Sequence, residues 1–413
     1  MKIKNVKAIL PLVSIVGFLL IATLQSKAQV LTYEDSLNAG ITRSAQKTFV
    51  SSYGEVFGSY DLKNGTGNAN LERIVLFLGH KFNKNITFFS EWELEDARVE
   101  NGLPAGEFSI EQCFLKMNVN PDYYFTAGLF IPRIGIINEN HLPTTFSTNR
   151  RPFVESMILP ATWREIGLGF YASPRGIPGL NLSLGVVNGL NAGGFEHGSG
   201  LREGRFKGQN ASATNMAVTV AVLQYLGNWR LQVSGYYGGS SGLSKRMSDS
   251  LQLDRGAFGT PVALAEANAQ YLGKWFYAKA LATVVNLPKA FEINRAYANN
   301  TAQTMYGAYA EVGCNILHLI KKSDRNLTVF ARYEKLDVNA VMPTNAIGDA
   351  QYNQAFIIAG VNYAPIKGIL LKFDYTHRIT GAPNESLLAN PFPTAPPYFT
   401  SGGFVNLGLG YSF

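Results

Sequence analysis

The sequence holds few of the residues that build disulfide frameworks or common metal sites. It has two cysteines, Cys113 and Cys314, and five histidines among 413 residues. The cysteines lie far apart in the chain and belong to no C-x-x-C motif or Cys/His cluster. We therefore expect two unpaired thiols, no metal site and no cofactor.

Long apolar runs are also scarce, because only residues 8–24 form one. Three lysines precede this run, and small and polar residues around Ala28 follow it. A basic start, an apolar middle and a small-residue exit are typical of a secretory signal peptide, which we predict for residues 1–29. An uncleaved membrane anchor is the alternative, but a proline interrupts the run, which is barely long enough to span a bilayer.

The excess of positive charge belongs mostly to this leader. Four of the 36 Lys and Arg lie in the first 28 residues, which contain no Asp or Glu, so the rest carries 32 basic against 29 acidic residues. The sequence pI of about 9.1 is thus mainly a targeting signal. We find no nucleic-acid-binding motif and predict no nucleic-acid partner.

Aromatic residues and glycine are abundant, with 26 Phe, 20 Tyr and 41 Gly. Residues 30–52 form a short lead-in without a clear period. From residue 53 onward, segments of about ten residues alternate in polarity, the length of a tilted transmembrane strand. The predicted strands are 53–60, 71–82, 86–96, 107–119, 123–131, 165–172, 180–188, 214–225, 229–238, 263–272, 275–285, 303–316, 325–335, 351–363, 369–379 and 402–413. We predict an all-β transmembrane antiparallel β-barrel of about 16 strands over residues 53–413.

The alternation also predicts which side chains face the lumen. Within residues 229–238, for example, Trp229, Leu231 and Val233 lie on one face and Arg230 on the other. In lipid the apolar face must point outward, so the charged face is expected to line water. The predicted lumen-wall charges are Arg230, Arg332, Lys372 and Arg378 among the basic residues, and Glu91, Glu93, Glu95, Glu334 and Asp374 among the acidic ones.

Short and long links alternate between these segments. The tight links include 83–85, 120–122, 226–228 and 273–274, and the long ones are 97–106, 132–164, 189–213, 239–262, 286–302, 336–350 and 380–401. Outer-membrane barrels combine short periplasmic turns with long external loops. We therefore predict the outer membrane of a Gram-negative-type bacterium, with residues 132–164 as the third external loop.

The last strand carries a further signal. Val405, Leu407, Leu409, Tyr411 and Phe413 lie on one face, and the chain ends in Phe. A terminal aromatic strand resembles the closing strand of outer-membrane proteins, which the barrel-assembly machinery recognises. That machinery and the lipid bilayer are the predicted partners.

The link 132–164 is too apolar for a disordered segment, since it contains Phe146, Phe153, Met157, Ile158, Leu159 and Trp163. We expect it to pack inside the barrel and narrow an aqueous pore. Its arginines are then expected to face the passage and attract anions: Arg133, Arg150, Arg151 and Arg164. The alternative is that they pair with Glu139, Glu155 and Glu165 and hold the loop in shape.

Three stretches around this link, 128–132, Arg151-Pro152 and 163–169, resemble the phosphate-selective porin O and P family. In general porins of sixteen strands, the third loop folds inward to form the constriction. The resemblance implies a homotrimeric channel for small hydrophilic solutes, with anions such as phosphate as candidates. The chain departs from the family where Arg133-Ile134-Gly135 follows Pro132 in place of Phe-Gly.

Other classes remain as alternatives. A barrel enzyme needs a nucleophile beside a histidine, and no such pattern surrounds any of the five histidines, so we predict no enzyme. A binding or structural barrel, or a channel for hydrophobic substrates, needs an apolar lumen or a plug. The charged inner faces and the short lead-in disfavour both features. A soluble β protein leaves the apolar outward faces unexplained.

Overall fold

The computed structural model describes residues 47–96, 106–320, 325–387 and 398–413. The strands are β1 (Thr48–Asp61), β2 (Thr66–Lys81), β3 (Ile86–Glu95), β4 (Glu107–Asn120), β5 (Tyr123–Phe130), β6 (Glu165–Ala172), β7 (Leu180–Asn188), β8 (Met216–Leu226), β9 (Trp229–Gly238), β10 (Val262–Leu272), β11 (Phe276–Asn286), β12 (Thr304–Asn315), β13 (Asn326–Val341), β14 (Asn353–Ala364), β15 (Ile369–Thr380) and β16 (Ser401–Ser412). Each strand pairs antiparallel with its sequence neighbours, and β1 closes the ring on β16. The predicted sixteen-stranded barrel is confirmed, whereas the predicted signal peptide lies outside the described residues.

Helices occur only in the connections within the described part of the chain. The α-helices are α1 (Phe153–Met157), α2 (Lys245–Leu251), α3 (Ala290–Tyr297) and α4 (Ile316–Ile320), and short 3-10 turns cover Ala192–Gly194, Arg202–Gly204, Ala350–Tyr352 and Glu385–Leu387. None of these helices is long and apolar enough to cross a membrane. Cys113 on β4 and Cys314 on β12 are both unpaired, as predicted.

The two ends of the barrel differ as the link lengths indicate. The turn end carries the start of β1, the end of β16, α4 and the connections 82–85, 121–122, 173–179, 227–228, 273–275 and 365–368. The long-loop end carries the connections 62–65, 131–164, 189–215, 239–261, 287–303 and 342–352, together with the end of β3, the start of β4, the end of β15 and the start of β16. Only its first connection is tight. There the Asp61 carboxylate accepts hydrogen bonds from the Lys63 and Asn64 amides at 2.8 and 3.1 Å, and Gly65 follows with φ 65°.

β1 and β2 are longer than predicted, because β1 begins at Thr48 and β2 at Thr66. The added start of β2 reads Thr-Gly-Asn-Ala-Asn, which lacks the β-branched and aromatic residues of a typical strand. It pairs with β1 up to Asp61 nonetheless. Pairing between β1 and β2 extends both strands. The local amino-acid composition does not indicate this pairing.

The predicted inside and outside faces are observed on most strands. On β15, Leu371 and Phe373 are exposed on the outer surface, whereas Lys372 and Asp374 between them are buried inside. β2 alternates poorly in sequence for a physical reason. Its inward Phe77 packs on Phe49 and Phe89, with ring centroids 6.2 and 5.8 Å away, so both faces of the strand are apolar.

Aromatic rings gather on the outside near the turn end. Trp229 lies 5.2 Å from Tyr271, and Tyr123 lies 6.0 Å from Phe170, measured between ring centroids. Such girdles occur where a barrel meets the polar boundary of a bilayer. The outer surface is therefore suited to lipid rather than water.

A charge introduced on this outer face tests its lipid contact. Val220 lies near the middle of β8 and is 49% exposed. We expect Val220→Arg to lower the free energy of unfolding in phospholipid vesicles by about 2–4 kcal/mol, because the guanidinium would face hydrocarbon. Denaturant titration measures the loss. Met247→Arg, on exposed α2 in a long loop, is the matched control, and equal effects of the two changes would contradict a lipid-facing β8.

Candidate functional site

The loop between β5 and β6, residues 131–164 and hereafter L3, lies inside the barrel. The Gly135 amide donates to Glu266 at 3.2 Å, and the Thr144 hydroxyl lies 2.9 Å from that of Ser412. Further hydrogen bonds join L3 to inward side chains around the ring: Glu111 on β4, Gln232 on β9, Lys279 on β11, Glu311 on β12, Glu334 on β13, and Lys372 and Asp374 on β15. A loop that reaches inward groups on so many strands must occupy the lumen.

L3 builds a hydrophobic core within the barrel. Five of its apolar side chains are at most 2% exposed: Ile134, Phe146, Ile158, Leu159 and Trp163. They pack against inward apolar residues of β7 to β14, including Val187, Val285 and Leu336. The Trp163 ring lies 4.7 Å from that of Tyr236. Burial of this apolar surface is the main physical cause of the infolding.

Glu155 on α1 organises the loop around its own carboxylate. One carboxylate oxygen accepts hydrogen bonds from the Ile136 and Ile137 amides at 2.8 and 2.7 Å, and the other accepts one from the Tyr309 hydroxyl of β12 at 2.6 Å. Burial raises the pKa of Glu155, while these hydrogen bonds act in the opposite direction. The side chain therefore ties two segments of L3 to the wall.

Two of the four predicted loop arginines are buried in ion pairs. Arg133 Nε lies 2.9 and 2.8 Å from the two carboxylate oxygens of Glu139. Arg164 donates to Ser109 at 3.1 Å and to Glu111 at 3.4 Å. The Arg133 pair matches the structural alternative, and Arg164 pairs across to β4 rather than with its neighbour Glu165.

Three of the four predicted basic wall residues face inward and are buried: Arg230, Arg332 and Lys372. Arg332 binds Glu311 at 2.6 Å and Glu334 at 3.2 Å. Lys372 donates to the Thr148 carbonyl at 3.0 Å. Arg230 donates to Gln232 at 3.1 Å. These side chains hold the wall and the loop together.

Two of the three predicted acidic wall residues of β3, Glu91 and Glu93, are buried as well, whereas Glu95 is partly exposed. Glu93 lies 2.8 Å from Arg73 of β2, which also binds Glu55 at 2.8 Å. Glu91 accepts hydrogen bonds from Tyr53 at 2.8 Å and Gln112 at 2.6 Å. The wall on this side is thus a compact polar network rather than a row of hydrated carboxylates.

Arg150 and Arg151 lie at the side of L3 that faces the long-loop end. Arg150 is exposed, and its guanidinium carbon lies 5.0 Å from the centre of the Phe57 ring. It lines two cavities of 540 and 320 Å³. Arg378 lines the larger cavity and Arg151 the smaller.

The guanidinium groups at these cavities include buried nitrogen atoms that are unpaired in the described part of the chain. Nε and Nη2 of Arg151 and Nε of Arg378 have no hydrogen-bond partner among the described residues. Carboxylates also line the smaller cavity: Glu55, Glu72 and Glu95. The cavities at the long-loop end are therefore lined by guanidinium groups, and the smaller one by carboxylates as well.

Several contributors escaped the sequence analysis. The loop between β7 and β8, residues 189–215 and hereafter L4, covers L3 from the long-loop end. Arg202 of L4 donates to the Ser156 carbonyl and Arg205 to the Thr162 carbonyl, each at 2.9 Å. Burial lowers the pKa of Arg205 to about 9. The polar, glycine-rich composition of L4 carried no signal of this contact.

A third cavity of 1120 Å³ opens at the turn end, with Phe146, Ser147, Lys279 and Lys367 in its lining. It shares no lining residue with either cavity at the long-loop end. Ser147 borders this cavity and Asn149 borders the smaller cavity on the opposite side. Along L3, Thr148 alone separates the residues that line the two ends.

The chain resembles several known proteins. It is 29% identical over 357 residues to an uncharacterized protein of Aquifex aeolicus (strain VF5), a match that covers 82% of this chain and 78% of that protein. No protein-family model matches the chain.

Solved outer-membrane barrels share its architecture. The anion-selective porin from Comamonas acidovorans superposes with a TM-score of 0.54 and 12% identity, over 89% of this chain and 99% of that one. OmpF of Salmonella typhi, in complex with daunomycin, gives 0.53 and 12% over 89% and 97%. The trimer form of OmpT from Vibrio cholerae gives 0.50 and 10% over 89% and 100%. The chain therefore has the fold of the outer-membrane porins.

Removing the Glu155 carboxylate tests whether it holds L3 in place. We expect Glu155→Gln to weaken the docking of L3 by about 1–2 kcal/mol, because the Ile136 and Ile137 amides exchange a carboxylate acceptor for a weaker neutral one. Hydrogen exchange of the amides of residues 136–155 should then accelerate by about tenfold or more while strand amides stay protected. Glu292→Gln, on partly exposed α3, should leave both sets unchanged. Uniform acceleration across the barrel would mean that L3 does not open separately.

Proposed function

We propose that this protein is an outer-membrane porin through which small hydrophilic solutes diffuse passively, with a preference for anions. The observation that carries the proposal is the position of Arg150. Its exposed guanidinium lines both cavities at the long-loop end, on a loop packed inside a closed sixteen-stranded barrel. A fixed cation at the mouth of a narrowed pore raises the local concentration of anions.

The chemistry of the mouth favours oxyanions such as phosphate. Arg378 and Arg151 add further guanidinium groups to the lining of the larger and the smaller cavity, respectively. Guanidinium binds phosphate and carboxylate with two parallel hydrogen bonds. The likeness of residues 128–169 to phosphate-selective porins agrees with this preference.

We further propose that solutes pass L3 beside β15. The cavities of the two ends approach each other at Thr148, where the Asp374 carboxylate holds the Asn149 amide and side chain at 2.8 Å each. Lys372 holds the Thr148 carbonyl from the same strand. This short strip of L3, residues 147–149, forms the narrowest part of the proposed path.

The same proposal includes the assembly of the protein. The lipid bilayer covers the apolar outer face, and the barrel-assembly machinery recognises β16, where the Phe413 amide donates to Ser52 at 2.9 Å and closes the ring. A homotrimer is the proposed assembly, because related barrels include a trimer form. The short turns and chain ends then face the periplasm.

Ion selectivity in planar bilayers tests the anion preference. We expect stable conductance steps from the wild type and a reversal potential across a salt gradient that indicates anion preference. Arg150→Ala/Arg151→Ala should shift the reversal potential toward cations, because two positive charges leave the mouth.

Arg175→Ala is the matched control for that double variant. Arg175 is an exposed arginine in a turn-end connection, paired with Asp122 at 2.7 Å. The control should keep the wild-type reversal potential. An unchanged potential in the double variant would return Arg150 and Arg151 to a structural role. Absence of conductance in the wild type would favour a binding or structural barrel, or a channel for hydrophobic substrates.

Loosening the strip 147–149 tests the proposed path. We expect Asp374→Ala to raise the single-channel conductance, because Asn149 loses both of its bonds to the wall. Glu266→Ala is the control, since Glu266 also binds L3 but lines none of the cavities described above. Equal conductance in Asp374→Ala and the wild type would place the path elsewhere.

A further inference from the structure

A buried cluster joins L3 to the wall on the side of β3 and β4. It consists of His141 from L3, Glu91 from β3 and Glu111 from β4, with Tyr53 of β1 beside them. All four side chains are at most 5% exposed. His141 Nε2 lies 3.4 Å from Oε1 of Glu91 and 3.3 Å from Oε2 of Glu111.

The hydrogen bonds of His141 indicate which nitrogen carries the proton. Nδ1 lies 3.0 Å from the Asn138 carbonyl oxygen, which only accepts hydrogen bonds, so Nδ1 is the donor. In the neutral imidazole the lone pair is then on Nε2. This buried nitrogen points at two carboxylates and has no hydrogen-bond partner within the described residues.

Hydrogen bonds from neighbouring side chains orient the carboxylates of Glu91 and Glu111. Gln112 donates to Oε2 of Glu91 at 2.6 Å, and Thr162 donates to Oε1 of Glu111 at 2.5 Å. Each carboxylate thus has one oxygen held by a neighbouring side chain, and its other oxygen faces both Nε2 and the Tyr53 hydroxyl. Metal-binding side chains are commonly held in this way by an outer layer of hydrogen bonds.

The separations also fit a shared ion. Charge-assisted N–H···O bonds are typically about 2.7–2.9 Å long, shorter than both contacts of Nε2. Two ligands bonded at ~2.0–2.1 Å to one tetrahedral ion lie about 3.3–3.4 Å apart. The contacts of His141 therefore have the spacing of ligands rather than of a direct ion pair.

We propose that His141, Glu91 and Glu111 bind a divalent transition-metal ion of the zinc type. The Tyr53 hydroxyl, 2.8 Å from Oε1 of Glu91 and 3.3 Å from Oε2 of Glu111, borders the fourth position. One imidazole nitrogen and few oxygens suit zinc, whereas calcium takes six to eight oxygens at longer distances. The ion would pin L3 to β3 and β4, and it does not depend on the proposed transport.

Metal binding by the folded full-length chain in detergent tests this site. The protein is treated with a chelator, loaded with Zn²⁺ and dialysed, and its metal content is measured. We expect one equivalent of zinc in the wild type and binding weaker by about tenfold or more in His141→Gln and Glu111→Gln. His197→Gln, a histidine variant in L4, should bind as the wild type does.

Loading the wild type with Co²⁺ gives a readout that needs no variant. Tetrahedral coordination by nitrogen and oxygen should produce visible absorption bands that Zn²⁺ displaces. Absence of retained zinc and of these bands in the wild type would overturn the proposal and leave His141 as a protonated partner of the two glutamates. Equal zinc content in the wild type and in folded His141→Gln would overturn it as well.

Discussion

The burial of L3 against the inner wall is the interaction on which the interior of this barrel depends. Trp163, Ile134 and Leu159 lose nearly all solvent contact there, and the inward faces of β7 to β14 supply the matching apolar surface. Without the loop, these inward residues would line water. Apolar burial favours the infolded position of the loop, and the ion pairs and carboxylate contacts of the wall fix where each segment of the loop lies.

This arrangement divides the interior by chemistry. The side formed by β7 to β14 is a hydrophobic core, whereas β1 to β4 carry a dense polar network that includes Arg73, Glu93 and Glu111. Cavities remain between L3 and each end of the barrel. Arg150 lines the two cavities at the long-loop end. The residue that lines these cavities, Arg150, and a residue that anchors the loop, Arg133, thus belong to one segment.

Most of the fold was predictable from the sequence, because every second residue of a strand in lipid must be apolar. The lengths of the links also distinguish the turn end of the barrel from the long-loop end. The infolding of L3 was predictable from its apolar content. Roles of single charges were not, since Arg133 and Arg150 are only seventeen positions apart in one loop and yet one is buried on Glu139 and the other is exposed. Contacts such as Arg202 on Ser156 or His141 on Glu111 join segments whose proximity no local pattern encodes.

The path of L3 also constrains how the barrel is made. Thr144 of the loop touches Ser412 of the last strand, 268 residues later in the chain, and β16 must pair with β1 to close the ring. The contact of Thr144 with Ser412 forms only once β16 is in place, so this part of the docking of L3 accompanies or follows the closure of the ring. Maturation therefore couples a contact between residues 268 positions apart to the final strand pairing.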